Sequence, residues 1–312
     1  MLNRHSLSNS AFHASDGRSS LHLPRVVGPA LDLFRISLSL CAAMTLLFTP
    51  GSKLVPERMI GEVPNPAFEG TTKLSLFYLL SDYPEAARIL GICFCMLAIW
   101  GIAGVVGIVG VTWIYFSLHN TGIVPDGGDQ IGLNASLICT MLIVAKILQR
   151  SAGRRFSVGH YMAYYSFLLL KIQVSFLYIN ASVAKIRVDN WMNGTEVFYD
   201  LVSPFFGLTG LRESVISPLL ELPFLVFMVT WGTIAFELFI GISVFASSKW
   251  KAVAIVMVLI LHGGIAILMG ITSFSLVITT VALYALLPFR EVGKDISDVY
   301  TWFALSFKSV RL

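Results

Sequence analysis

The sequence predicts an all-α fold: a polytopic integral membrane helix bundle of about eight transmembrane helices, with both termini cytoplasmic. Three observations carry this. Of 312 residues, 56% are hydrophobic, above the roughly 45 to 50% of a soluble domain, and mean hydropathy is +0.77. Only 13% are charged and 12% are aromatic, which excludes a disordered chain. The apolar runs show no strict ten-residue alternation of polar and apolar residues, so an outer-membrane barrel is excluded too.

The elements follow in order. Residues 1–28 are polar, carry Arg4, Arg18 and Arg25, and lack the apolar core of a signal peptide, so they read as a cytoplasmic tail. A first span is expected over residues 30–49, closed by Pro50 and Gly51. Residues 53–85 lack a basic excess and are placed outside. The apolar run 89–118 would be about 45 Å long as one helix, too long for one crossing, and Gly101, Gly104 and Gly107 predict a tight hairpin between two short spans.

Later spans are expected at residues 131–148, 162–185, 222–246, 252–269 and 273–287. Eight spans starting inside put Arg150, Arg154 and Arg155, then Lys249 and Lys251, then Arg290, Lys294, Lys308 and Arg311, in the cytoplasm; seven would export all three clusters. The second outer loop, 186–221, is acidic, and its Trp191, Phe198, Tyr199, Phe205 and Phe206 suit a chain lying at the membrane surface. The transmembrane domain is thus residues 29–288, with a cytoplasmic tail at 289–312. The net charge of +4 reflects cytoplasmic Lys and Arg, and no nucleic-acid partner is expected. Cys41, Cys93, Cys95 and Cys139 lie in apolar runs without a Cys-x-x-Cys pair and read as buried thiols.

Ionisable groups at membrane depth need a partner or a wet cavity. Lys171, Ser175, Tyr178, Ser182 and Lys185 recur along one face of the fifth span. Counting rise puts Lys171, Glu237 and His262 at a common depth of about 14 Å, so Lys171 is paired with Glu237, as a brace or as part of a site. His262, before Gly263 and Gly264, reads as a neutral hydrogen-bonded histidine or a proton-transfer group. Lys185 ends its helix, where snorkelling alone would account for it. Arg35 follows Asp32 by three residues, a local ion pair. Asp126 and Asp129 open the fourth span in a turn-forming stretch, as caps or as a loop facing a substrate. Phosphate loop, dinucleotide fingerprint, nucleophile elbow and zinc helix motif are all missing; no metal centre is predicted and the cofactor stays unknown.

Leu33-Phe-Arg-Ile36, Asn180-Ala-Ser-Val-Ala-Lys185, Asp189-Asn-Trp191 with Gly194, Phe236-Glu-Leu238, and His262 with Phe274 twelve residues on resemble, in order and spacing, the horizontally transferred transmembrane (HTTM) family related to vitamin K-dependent gamma-carboxylase. The likeness spans residues 29–288. Within the family it is greatest to sporulation-delaying members, through Leu118-His-Asn-Thr-Gly122, Asp126-Gly-Gly-Asp129 and Trp191-Met-Asn-Gly-Thr195.

That resemblance implies a bacterial inner-membrane protein that works at the extracytoplasmic side with a small partner protein, on an exported toxin-precursor peptide. Lys185 resembles the lysine at or near the carboxylase's strong base, and His262 a histidine near its active site. Lys185, His262 and Glu237 are the expected catalytic or substrate-orienting groups. Asp126, Asp129, Tyr178 and Trp191 would meet the substrate, with Lys171 and Arg35 in structural ion pairs. The carboxylase's large lumenal region has no counterpart, and Asp129 and Gln130 stand where it has a histidine, so glutamate carboxylation is not expected. Two rivals remain: a carboxylase-like enzyme acting on a peptide, lipid or quinone-like substrate, and a transporter or immunity protein without chemistry.

Overall fold

A computed structural model describes residues 27–54, 69–102, 104–121, 127–151 and 158–287. All regular structure among the described residues is helical. Helix α1 (Pro29–Phe48) begins with a proline, where the missing N–H costs nothing, and stops at Thr49, which the following proline holds extended. Short helices α2 (Gly51–Leu54), α3 (Glu69–Thr72) and α4 (Leu76–Leu79) come between α1 and the next long helix.

The long apolar run divides at its glycines. Helix α5 (Pro84–Trp100) ends on Gly101 at φ +69°, and Gly104 at φ +56° precedes α6 (Val105–Thr121). Both positions need the left-handed backbone that glycine adopts without steric cost. Gly107 then lies so close to α5 that a Cβ there would come within 2.7 Å of the Ala98 nitrogen.

Helices α7 (Gly127–Ser151) and α8 (Val158–Lys185) follow. Three shorter helices come next, α9 (Asp189–Met192), α10 (Glu196–Val202) and α11 (Leu211–Leu220). Helix α12 (Pro223–Ser243) leads to α13 (Ser248–Gly264), which continues as a π-helical turn over Ile265–Met269, and α14 (Thr272–Leu286) closes the described chain. The eight longer helices form a ring in the order α1, α5, α6, α7, α8, α12, α13, α14 and back to α1, with α7 packed on α14 across the middle.

The core is apolar, and so is much of the surface. Phe48, Val106, Leu137, Phe176, Ile242, Ile260 and Ile267 face outward, while Arg35, Asp129, Glu237, His262 and the hydroxyls of Ser39, Ser182 and Thr230 are buried. Among the described residues five helices are long and apolar enough to cross a membrane: α1, α7, α8, α12 and α13 with its π turn. Helices α5 and α6 have 17 residues each and α14 has 15, about 26 and 22 Å of rise.

Cys41, Cys95 and Cys139 are buried, but Cys93 is exposed, which corrects the expectation of four buried thiols. Two residues along a helix is more than half a turn, so when Cys95 faces α5's neighbours Cys93 faces out. The tails at 1–26 and 288–312 lie outside the described residues.

Candidate functional site

Two hydrogen bonds set α8 against α12. Ser175 Oγ donates to the Gly241 carbonyl at 2.8 Å and Ser182 Oγ to the Ile234 carbonyl at 3.1 Å. Such small-residue contacts let membrane helices approach closely. Here a Cβ on Gly241 would lie 2.7 Å from Ile179 Cγ1. The helices run antiparallel, with position 179 facing 237 and position 171 facing 245.

This register corrects the expected pairing. Lys185, not Lys171, holds Glu237: its Nζ donates to both carboxylate oxygens at 2.7 Å. Cα–Cβ bonds lean toward a helix's own N-terminus. On antiparallel helices Lys185 therefore bends back along α8 while Glu237 bends the opposite way along α12, and they meet. Lys171 leans away from Glu237, and its Nζ lies instead 4.9 Å from the Phe245 ring and 5.8 Å from that of Phe167.

Trp191 covers the pair, with its ring 5.1 Å from Lys185 Nζ. Gly194 fixes that cover. It sits at φ +74°, and any Cβ would run into the Phe227 ring of α12. The segment Asp189–Met192 thereby stays folded over the end of α8.

About two turns back along α8 from Lys185, Tyr178 Oη and His262 Nε2 are 2.7 Å apart, both buried. The Phe274 ring meets the imidazole edge-on at 6.2 Å. His262 Nδ1 is buried with no hydrogen-bond partner among the described residues. The Lys185 charge acts on His262 and the Glu237 charge on Tyr178, so the two pairs form one electrostatic unit. Chemically, this places a fixed cation beside an imidazole with one open nitrogen and a phenol able to exchange a proton with it.

Known proteins similar to this chain include two from Bacillus subtilis (strain 168). One is the uncharacterized protein YitO, 28% identical over 270 residues, which take in 82% of this chain and 84% of YitO. The other is the sporulation-delaying protein SdpB, 28% identical over 188 residues, 57% of this chain and 57% of SdpB. The chain thus spans little more than half the length of SdpB. No family model matches it, and no solved structure does.

The remaining candidates divide. Asp129 is buried in the first turn of α7. A Cβ on nearby Gly127 would lie 3.3 Å from Phe274, so the start of α7 adjoins the ring that borders His262. Asp126 lies outside the described residues. Arg35 NH2 is 3.8 Å from Asp32, while its NH1 donates to the Ile99 carbonyl at 3.2 Å. Asp32's short contacts are with Lys146, whose Nζ donates to both its oxygens at 2.8 and 2.7 Å. Nothing local in the sequence marks Lys146, whose partner stands 114 residues away. Among the described residues no three His, Cys, Asp or Glu side chains are grouped to hold a metal.

Two carboxylates of α10 also belong to the neighbourhood. Burial, and then the nearby Glu196 carboxylate, hold the Asp200 carboxyl above the usual carboxylate range, while the Lys185 charge draws it back. A raised carboxyl pKa means that the ionised form weakens the fold, and that this penalty disappears as pH falls through the raised value. Asp200→Asn is therefore expected to raise the melting temperature at neutral pH by more than at pH 4. An equal shift at both values would contradict the assignment.

Proposed function

We propose that this chain is a multi-pass protein of a bacterial inner membrane that takes part, at the extracytoplasmic side, in maturing an exported killing-factor peptide. The observation that carries the reading is the Lys185–Glu237 pair, part-buried at the end of α8, covered by Trp191 and followed along the same helix by Tyr178 with His262. Ionisable groups held at such depth mark sites for substrates or protons more often than braces. The similarity to a sporulation-delaying protein supports the same reading.

In this reading all eight longer helices cross the membrane, with α5, α6 and α14 in locally thinned bilayer. The basic clusters then lie in the cytoplasm, both tails with them, and residues 186–221 lie outside. Lys185 orients a carbonyl or carboxylate of the peptide, and Glu237 fixes Lys185. His262 moves a proton through Nδ1, steadied by Tyr178. Asp126 and Asp129 stand at the mouth, and a small partner protein presents the precursor.

Mass spectrometry of the exported peptide, from cells with and without this protein, tests the proposal. A mass difference would name the reaction; identical peptide in identical yield would retire it. The open Nδ1 among apolar helices favours a second reading, a carboxylase-like enzyme of HTTM type acting on a peptide, lipid or quinone-like substrate. A cofactor co-purifying with wild type and lost from His262→Ala would favour that one.

A further inference from the structure

Helix α7 packs on four neighbours, α6, α8, α14 and α1, and one narrow side of it is left open. Along that side Gln130, Asn134, Leu137, Met141, Val144 and Leu148 follow one another at alternating steps of four and three residues, the repeat of a two-helix seam. Leu137 is 49% exposed, and Met141 and Leu148 are 39% exposed. Asn134 is exposed as well, and among the described residues its amide has no hydrogen-bond partner.

The depth of that amide matters. Gly159 of α8 meets Ala145, Leu148 and Gln149 of α7, and counting along the antiparallel pair from there sets Asn134 level with positions 172 and 173 of α8. Ile131, one turn before Asn134, and Gln173 do line one crevice. Position 173 is about 18 Å from one end of α8 and about 22 Å from the other, the middle of a membrane span. An acyl chain offers an amide nothing to bond, whereas a polar side chain on another helix satisfies it.

A second copy of this chain meets that need by symmetry. Two copies inserted the same way are related by a two-fold axis along the membrane normal, so the partner's Asn134 always stands at the depth of the first. An amide both donates and accepts, and so pairs with its own copy. In parallel coiled coils one asparagine among apolar seam positions fixes register and a two-stranded state in the same way. We propose that two copies of this chain pack through α7 along the seam from Asn134 to Leu148, joined at mid-membrane by a hydrogen bond between their Asn134 amides. The proposal does not depend on the peptide-maturation reading.

The test begins with the full chain carrying Leu137→Cys and Cys93→Ser, the latter removing the exposed thiol, oxidised in native membranes. A cross-linked species of twice the chain's mass is expected. Ile260→Cys in the same background, 59% exposed on α13 and three places round the ring, should give little of it. In liposomes holding donor- and acceptor-labelled protein, Asn134→Leu should weaken dimerisation about 3- to 10-fold, the scale of one interhelical hydrogen bond, and Asn134→Gln should retain it. Equal cross-linking at positions 137 and 260, or a wild type that stays monomeric in liposomes, would overturn the proposal whether or not the Asn134 variants fold. Undiminished dimerisation of folded Asn134→Leu protein would do so as well. A product joining position 137 to a different protein would identify a foreign partner and overturn the assignment to a second copy.

Discussion

Glu237→Gln is expected to remove most of the folded protein from the membrane, and adding Lys185→Met to the same chain is expected to bring much of it back. The single change leaves the Lys185 ammonium, whose side chain is 20% exposed, without the carboxylate that accepts both its hydrogen bonds, and breaking a buried pair from one side costs about 3 to 5 kcal/mol. The double change replaces both ions by groups needing no ionic partner, which is often neutral. Size-exclusion profiles and melting temperatures of the detergent-solubilised variants read the effect directly. Lys171→Met in the same Glu237→Gln background should give no recovery, because Lys171 sits two turns away against Phe245. Equal losses in the single change and in the Lys185 double variant would show that the two charges do not depend on each other.

The second large effect concerns activity. His262→Gln is expected to lower the yield of matured peptide by about 10² to 10⁴, the range for loss of a positioned proton-transfer group. Tyr178→Phe should act in the same direction but less, since it leaves the imidazole in place and removes one hydrogen bond, a cost of about 1 to 3 kcal/mol when the remaining partner is buried. Protein abundance, measured in the same cells, separates this from misfolding. Normal peptide from folded His262→Gln protein would leave His262 with a packing role alone.

Much of the fold was legible because lipid imposes a simple rule on sequence: apolar runs of sufficient length, broken where the backbone must turn. The expected break in residues 89–118 coincides with two glycines at positive φ, and the helices on either side begin and end within a few residues of the predicted spans. The fifth span's face of Lys171, Ser175, Tyr178, Ser182 and Lys185 follows from helical periodicity alone.

Pairing across helices was less legible. Counting rise from helix ends assumes that neighbouring helices start at one level, yet α12 begins beyond the end of α8 and stops short of its start. The true register depends on Gly241 and Ser175, which no count of rise can supply. The Lys146–Asp32 pair and the influence of Glu196 and Asp200 were hidden for a related reason. They join elements far apart in sequence, whose contact is set by tertiary packing and not by any local pattern.

The π turn at Ile265–Met269 has a geometric consequence for His262. Winding five residues into that turn inserts about one more than regular helix geometry would hold, so positions beyond it are rotated out of phase with those before it. The angular setting of the imidazole and that of the turn at Gly270, whose flank Arg212 clamps through the carbonyls of Ile267 and Leu268, are thus chosen separately. A chain one residue shorter here would have to surrender either the aim of the ring or the anchorage of its helix to α11.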